Sequence, residues 1–213
     1  MKALVTGFEP FGGDAVNPSS LAVDRLKKRY GSVVVHTATL PCSFARSTAV
    51  LQGAIDKVKP DIVLCVGLAG GRNELCLERV GINVQDARIR DNDGRQPIDK
   101  PVVKDGPVAH FATLPIKACV AAMRKAGLAA AVSNTAGTFV CNHILYALMD
   151  IASRHPTPLR GGFLHVPYAP EQIARVGTAP SMAIGDVTRG IEIILEVSAA
   201  RTNDIHTVEG RIS

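Results

Sequence analysis

The sequence contains no tryptophan, and its aromatic residues amount to only 4%. Few rings are therefore available on which nucleic-acid bases could stack. The net charge is +5, but the lysines and arginines are scattered, and the basic run Lys27–Arg29 is predicted to be the solvated face of one helical turn. We therefore expect no nucleic-acid partner.

Long apolar runs are also missing. The first residues, MKALVTGFEPFGG, are interrupted by Gly7, Glu9 and Pro10, so this stretch lacks the longer apolar region of a signal peptide. No run approaches the roughly 18 apolar residues that are needed to cross a bilayer. The sequence thus predicts a cytosolic protein that does not enter a membrane.

Cysteines are few and show no pairing pattern. Their number is odd, and they form neither C-x-x-C pairs nor the spacing of zinc ligands, which favours reduced thiols over a disulfide framework or a metal site. Most of them are predicted to be small core residues. The cysteines are Cys42, Cys65, Cys76, Cys119 and Cys141.

The apolar content that is present suffices for one substantial core. The chain has 213 residues, of which 46% are hydrophobic, within the usual range of a single domain. After Arg201 the apolar periodicity ends. We expect one domain over residues 1–201 and a flexible C-terminal tail over residues 202–213.

Apolar, β-branched runs at residues 2–8, 32–40 and 61–68 alternate with segments of helical period. This alternation is typical of a largely parallel sheet covered by helices, so the predicted fold class is α/β. The N-cap signal of Asn17 with Pro18, and the stop signal of Gly31, predict a first helix between them.

The middle of the chain is less regular. A strand is predicted at Arg79–Gln85, and a polar stretch, Asp86–Pro107, follows it. Loops of this length within compact domains are usually functional. We expect this one to shape a site or an oligomer contact.

Cys141 is the candidate nucleophile. It follows a predicted strand, 129–133, and the turn-forming sequence NTAGT, and it stands where helical spacing begins. A thiol at a helix N-terminus faces unpaired N–H groups, which favour its thiolate and can also stabilise an oxyanion. By position alone, an ordinary core cysteine is an equally good interpretation.

Of the six histidines, His165 is the best candidate base. It lies at the carboxyl end of the apolar strand GGFLHVP, where the sites of parallel sheets gather. His143 is two positions from Cys141 on the same helix, so it points to a different face and is expected to be structural. The acceptor that would orient the base could be Glu78, Asp86 or Asp91, and spacing does not choose among them.

The glycine-rich segment Gly67–Arg72 supports a competing hypothesis. It matches neither nucleotide-binding motif, but Gly70, Gly71 and Arg72 could form a phosphate nest. The protein would then be a nucleoside-phosphorylase-like enzyme on a similar α/β scaffold. A non-catalytic assembly module is the third hypothesis.

Six motifs together resemble the pyrrolidone carboxyl peptidases, also called pyroglutamyl peptidase I. They are GFEPFGG (7–13), GLAGGR (67–72), ERVGINVQDARIRDN (78–92), LPIKA (114–118), NTAGTFVCNH (134–143) and GGFLHVPY (161–168). They occur in the family's order and spacing, so the resemblance extends from the N-terminus to the final helix.

The resemblance implies a function and assigns residues to it. It implies a thiol hydrolase that removes N-terminal pyroglutamate from peptides, with Cys141 as nucleophile, His165 as general acid and base, and Glu78 as the residue that orients the histidine. The oxyanion hole would comprise Arg88 and the Cys141 N–H. The lactam pocket would be lined by Phe8, Phe11, Leu68, Ile89, Phe139 and Val140.

The resemblance further implies a three-layer α/β/α fold and a cytosolic homotetramer that needs neither metal nor cofactor. Leu68 departs from many members of the family, which carry a glutamine there near the lactam. Cys76, Gly81 and Arg90 also differ from the residues common in the family. Leu68 therefore marks the point where substrate recognition is expected to differ.

Overall fold

A computed structural model describes residues 1–210. Its central sheet has seven strands in the order β2-β3-β1-β4-β9-β5-β8. The strands are β1 (Lys2–Phe8), β2 (Arg29–Tyr30), β3 (Val33–Leu40), β4 (Ile62–Leu68), β5 (Leu75–Glu78), β8 (Ala130–Ser133) and β9 (Arg160–Val166). A separate two-stranded ribbon consists of β6 (Val80–Ile82) and β7 (Ala109–Phe111).

Helices cover both faces of the sheet. They are α1 (Pro18–Val23), α2 (Ser47–Val58), α3 (Ile116–Lys125), α4 (Val140–Ser153), α5 (Ile173–Val176) and α6 (Ile184–Ala200). One apolar cluster joins one sheet face to α1, α3 and α6, and a second joins the other face to α2 and α4. The predicted three-layer α/β/α architecture is confirmed.

The strand directions position the site. Strands β3, β1, β4 and β9 are mutually parallel, whereas β5 pairs antiparallel with β9 and parallel with β8. The register places Cys76 opposite His165 and Leu77 opposite Leu164. Because side chains alternate across a strand, Glu78 lies on the same sheet face as Cys76 and is a diagonal neighbour of His165.

The predicted strand Arg79–Gln85 is confirmed only in part, because β6 covers Val80–Ile82 alone. β5 ends at Glu78, and β6 is a distinct strand that pairs with β7 outside the main sheet. Gly81 lets this ribbon approach α4, because a Cβ there would lie 2.7 Å from the backbone nitrogen of Tyr146. β6 therefore packs on α4 instead of continuing β5 in the central sheet.

The first helix is shorter than predicted. It begins as expected, with the Asn17 side chain accepting a hydrogen bond from Ser19 N–H, but it ends at Val23. Arg29–Tyr30 pairs with β3 instead, and Gly31, at φ +53°, forms the turn of that hairpin. Lys27–Arg29 thus lies outside a helix. The predicted stop signal serves a β-turn rather than a helix end.

The tail hydrogen-bonds to α3 as far as residue 209. The Asp204 carboxylate accepts from Lys117 N–H and Ala118 N–H at 3.0 and 2.9 Å, and Glu209 forms an ion pair with Arg124. Residues 211–213 lie outside the described part of the chain. A flexible tail over 202–213 stays a prediction. Within the described residues, no helix is long and apolar enough to cross a membrane.

Candidate active site

A buried carboxylate–imidazole pair lies at the centre of the site. His165 Nδ1 donates to Glu78 Oε1 at 2.7 Å, and neither side chain is appreciably exposed. Because a carboxylate only accepts, this bond leaves the other ring nitrogen, Nε2, as the proton acceptor of the neutral imidazole. His165 is therefore oriented and carries the lone pair that a base requires.

Burial keeps this imidazole neutral in the free protein. Removal from water lowers the pKa of His165 and outweighs the hydrogen bond and negative charge of Glu78, which raise it, while the nearby charge of Arg72 lowers it further. A neutral histidine is the form that can accept a proton. The site is thus ready to act as a base around neutral pH.

Cys141 lies at the start of α4, directly above the sheet. The first turn of the helix has no side-chain cap, and Gly137, at φ +74°, forms the turn before it. The thiol is half-buried over Gly67, where an added Cβ would lie 2.9 Å from Cys141 Sγ. Gly67 pairs with His165 across β4 and β9, so the glycine leaves room for the thiol beside the imidazole.

The expected preference for a thiolate was wrong. Burial raises the pKa of Cys141, and the neighbouring Cys42 and Glu78 raise it further, although Arg72 lowers it. The resting group is a neutral thiol, despite its place at a helix N-terminus. Its proton must therefore leave during nucleophilic attack, and the neutral His165 is the available acceptor.

Cys141 and His165 line one cavity of about 380 Å³. Five residues predicted to bind substrate line it with them: Phe8, Phe11, Leu68, Phe139 and Val140. Arg88, predicted for the oxyanion hole, also lines the wall. Ile89 is not among the residues that line this cavity, and it is 41% exposed, so its place in the pocket stays a prediction.

The cavity wall combines aromatic rings with cations. Phe139 packs at 6.2 Å from Phe11 and edge-on at 5.3 Å from Phe44, which lies behind it. The charged side chains on the described lining are Arg72 and Arg88, and none of the lining residues is acidic. A substrate group bound here should therefore be apolar or uncharged and should not be a cation.

The other candidate orienting groups are used elsewhere. The Asp91 carboxylate accepts from Phe44 N–H at 2.9 Å and from Arg95 N–H at 2.8 Å, which anchors the loop between β6 and β7. The backbone N–H of Asp86 donates to the Thr138 carbonyl, and the Asp86 side chain is exposed. Of the three candidates, the structure thus brings Glu78 to His165, and the loop brings Arg88 to the cavity.

His143 is structural, as predicted. Its Nε2 hydrogen-bonds with Thr48 Oγ1 at 2.8 Å, and its ring packs edge-on against Phe44. The neighbouring Asn142 is fully buried and donates to the carbonyls of Ile82 and Val84, both at 2.9 Å. These two side chains fix the first turns of α4 on either side of the thiol.

The sequence did not identify three residues that line the cavity or contact Glu78. Asn17 lines the cavity, although the sequence indicated only a helix cap. Cys42, interpreted as a core residue, lines it as well. Arg72, considered as a phosphate ligand, donates to Glu78 Oε1 at 2.7 Å and to the Thr135 carbonyl at 2.9 Å. Asn17 had a local signal in its cap motif, and Arg72 had one in the glycine-rich segment Gly67–Arg72, whereas Cys42 had none.

The phosphate-nest hypothesis finds no support at this loop. The Arg72 guanidinium is engaged by Glu78 and Thr135. The ring of Tyr168 packs directly against Gly70, in the space where the Cβ of any other residue would lie. Within residues 1–210, no group of three or more His, Cys, Asp or Glu side chains is arranged to hold a metal ion.

Comparisons with known proteins agree with this geometry. A family model described as pyroglutamyl peptidase matches residues 1–201. The pyrrolidone-carboxylate peptidase of Streptomyces coelicolor is 54% identical over 213 residues, covering 98% of each chain. That of Erwinia tasmaniensis is 51% identical over 210 residues, again covering 98% of each chain.

Solved structures give the same result. The pyroglutamyl peptidase I of Bacillus amyloliquefaciens has a TM-score of 0.95 to this chain at 48% identity, covering 97% of this chain and 99% of that one. The pyrrolidone carboxyl peptidase of Pyrococcus furiosus has a TM-score of 0.90 at 38% identity, covering 94% and 99%.

Proposed function

The chain belongs to the pyroglutamyl peptidase family, and we propose that it hydrolyses the amide bond after an N-terminal pyroglutamyl residue, with Cys141, His165 and Glu78 as its catalytic triad. Membership confirms the resemblance found in the sequence. The observation that carries the assignment of the triad is that the buried His165–Glu78 pair opens onto the same cavity as Cys141.

The reaction begins with a neutral Cys141 thiol and a neutral His165 imidazole. His165 Nε2 takes the thiol proton while Cys141 Sγ forms a bond to the carbonyl carbon that follows the lactam ring. The resulting imidazolium, held by Glu78, then gives its proton to the leaving amine as the C–N bond breaks. Water hydrolyses the thioester, with His165 again as base, and releases pyroglutamate.

The negative oxygen of the tetrahedral intermediate needs donors. The N–H of Cys141 lies in the first turn of α4, where no side chain caps the helix, and Arg88 reaches the same cavity. Both donors match the oxyanion hole that the family resemblance implies. Arg88 adds a positive charge, which strengthens such a bond.

The pocket explains why a lactam would be accepted and a free amino terminus rejected. Pyroglutamate has no α-ammonium group, and the rings of Phe8, Phe11 and Phe139 suit its flat, uncharged ring. An ordinary amino terminus would bring a cation beside Arg72 and Arg88 with no acidic side chain on the described lining to pair with it.

The assembly and location of the protein belong to the same proposal. We expect a homotetramer in the cytosol. Large apolar side chains that are exposed on the β7 ribbon and its flanking loops support subunit contact: Ile98, Val108 and Phe111. Light scattering coupled to gel filtration measures the mass, and a monomer at micromolar concentration would contradict this part of the proposal.

The experiment for the activity is hydrolysis of a pyroglutamyl aminocoumarin amide by wild-type protein. Cys141→Ala should abolish turnover, and an alkylating thiol reagent should do the same to the wild type. Cys119→Ala is the matched control, because this buried thiol packs in the cluster on the opposite sheet face. Its activity should be unchanged.

Two outcomes would refute the assignment. Turnover that persists in Cys141→Ala would exclude this nucleophile. A strict requirement for inorganic phosphate in wild-type turnover would favour the phosphorylase hypothesis instead. A prolyl aminocoumarin amide, which lacks the ring carbonyl, should be a poor substrate and tests recognition of the lactam.

A further inference from the structure

The guanidinium of Arg72 joins three segments of the site. It belongs to the loop after β4, it donates to Glu78 Oε1 at the end of β5, and it donates to the Thr135 carbonyl in the turn before Cys141. The Arg72 side chain is 26% exposed, whereas that of Glu78 is fully buried. One side chain thus touches both the orienting carboxylate and the turn that carries the nucleophile.

Glu78 needs such a partner. Its Oε1 accepts from both His165 and Arg72, while Oε2 is buried with no hydrogen-bond partner among the described residues. The neutral imidazole gives one hydrogen bond and no charge. An ionised carboxylate that is removed from water without a countercharge is strongly disfavoured, so Arg72 compensates this burial.

We propose that Arg72 is a positioning residue, which acts through Glu78 to hold His165 in its neutral, correctly oriented form, and this role rests on the proposed peptidase function. Arg72 supplies the second donor that fixes the carboxylate against the imidazole. Its charge also opposes a second positive charge on His165. Thr135 adds a tether that links this arrangement to the turn before the thiol.

The charge of Arg72 has a predictable effect on the histidine. The groups that face His165 come from three elements and two loops, and Arg72 is the cation that is bonded to its carboxylate partner. Without this charge, Glu78 should stabilise the imidazolium more strongly, so the pKa of His165 should rise. The facing groups are Glu78 and Cys76 of β5, Cys65 of β4, Cys141 of α4, and the loop residues Arg72 and Arg88.

The experiment compares Arg72→Gln, Arg72→Lys and wild type on the coumarin substrate across pH. In Arg72→Gln, the acid limb of the pH profile of kcat/KM should move to higher pH. The value of kcat should fall by about 10²-fold because the Glu78 carboxylate is misplaced. In Arg72→Lys, which keeps the charge, the acid limb should stay close to that of wild type while kcat falls less.

Arg79→Gln is the matched control. Arg79 donates to the Asn134 side chain in the same turn, at 2.8 Å, without bonding to Glu78. It should therefore keep the wild-type acid limb and kcat. If Arg79→Gln shows the same changes as Arg72→Gln, then loss of any arginine contact to the turn before Cys141 is enough to cause them. The proposal that Arg72 acts through Glu78 is then overturned.

A second measurement does not depend on activity. The imidazole signals of His165, followed by NMR against pH, should titrate at higher pH in Arg72→Gln than in wild type. If that variant does not fold, Arg72→Lys decides, because a wild-type kcat there overturns the positioning role. An inactive wild type would refute the peptidase proposal, and the NMR titration would still test Arg72. An unshifted titration in folded Arg72→Gln overturns the inference.

Discussion

Replacing Gly67 with alanine should displace the nucleophile. An added Cβ would lie 2.7 Å from Phe163 Cζ, 2.9 Å from Cys141 Sγ and 3.1 Å from Phe163 Cε1. Carbon atoms in unstrained contact lie roughly 3.5 to 4.0 Å apart, so the thiol or the ring must move by an amount approaching 1 Å. The Phe163 ring is fully buried and packs against His165 at 4.8 Å, so it has little room to yield.

The size of the effect follows from this displacement. Misplacing a reacting group by about 1 Å can cost about 10²-fold in rate, and we expect a loss of that size in kcat with a smaller change in KM. Overpacking should also cost about 1 to 3 kcal/mol in the free energy of unfolding. The assays are kcat and KM on the coumarin substrate and urea denaturation of the same preparations.

Gly53→Ala is the control for this prediction. Gly53 lies within α2, where an added Cβ meets nothing within 4 Å. This variant should keep its activity and gain about 0.5 to 1 kcal/mol, because alanine favours helix. A stably folded Gly67→Ala variant with wild-type kcat would refute the claim that the glycine makes room for the thiol.

Four further substitutions test other parts of the structure. Asn142→Asp should lower the free energy of unfolding by about 3 kcal/mol or more in urea denaturation, because a buried carboxylate would face the two carbonyls to which the amide now donates. A loss under about 1 kcal/mol would argue against this contact. Burial lowers the pKa of His143 from 6.5 to about 4. The free energy of unfolding of the wild type should therefore fall by about 3 kcal/mol as the pH drops from 6.5 to about 4, and this loss should be absent in His143→Gln. Equal acid sensitivity of the two proteins would refute this prediction. Asp204→Ala removes both acceptors at the start of α3 and should lower stability by about 1 kcal/mol in thermal unfolding, whereas an unchanged Tm would mean that the tail does not cap the helix. Leu68→Gln should raise kcat/KM on the lactam substrate but not on its prolyl analogue, since an unmade hydrogen bond costs about 1 to 3 kcal/mol, and a fall would mean that the pocket is already filled around leucine.

Local patterns were sufficient for much of the fold. Apolar runs predicted β1, β3 and β4 within a residue or two. β1 and β4 are buried on both faces, and such a strand leaves a continuous apolar signal. The start of α4 was also predictable, since a glycine turn and helical spacing are properties of neighbouring residues. Cys141 and His165 could therefore be named as candidates before any tertiary contact was known, but for Cys141 the local pattern alone did not exclude an ordinary core cysteine.

Other local signals had two possible meanings. Gly31 was interpreted as the end of a helix, and the structure uses it in the β2–β3 turn. Both uses require a left-handed glycine, so the residue alone does not distinguish them. The pairing of Arg29–Tyr30 with the sheet edge decides between them, and that pairing is a contact with β3.

By itself, the sequence determined the α/β class, the thiol at a helix start, the histidine at a strand end and, through six motifs, the family. Only the tertiary structure decided that β5 enters the sheet antiparallel to β9, which makes Glu78 a diagonal neighbour of His165. The same placement brings Arg72 to the Glu78 carboxylate, whereas the Asp91 carboxylate accepts hydrogen bonds within its own loop. The physical reason is that strand order and register depend on which strands bury each other's backbone and apolar faces, and these partners are distant along the chain.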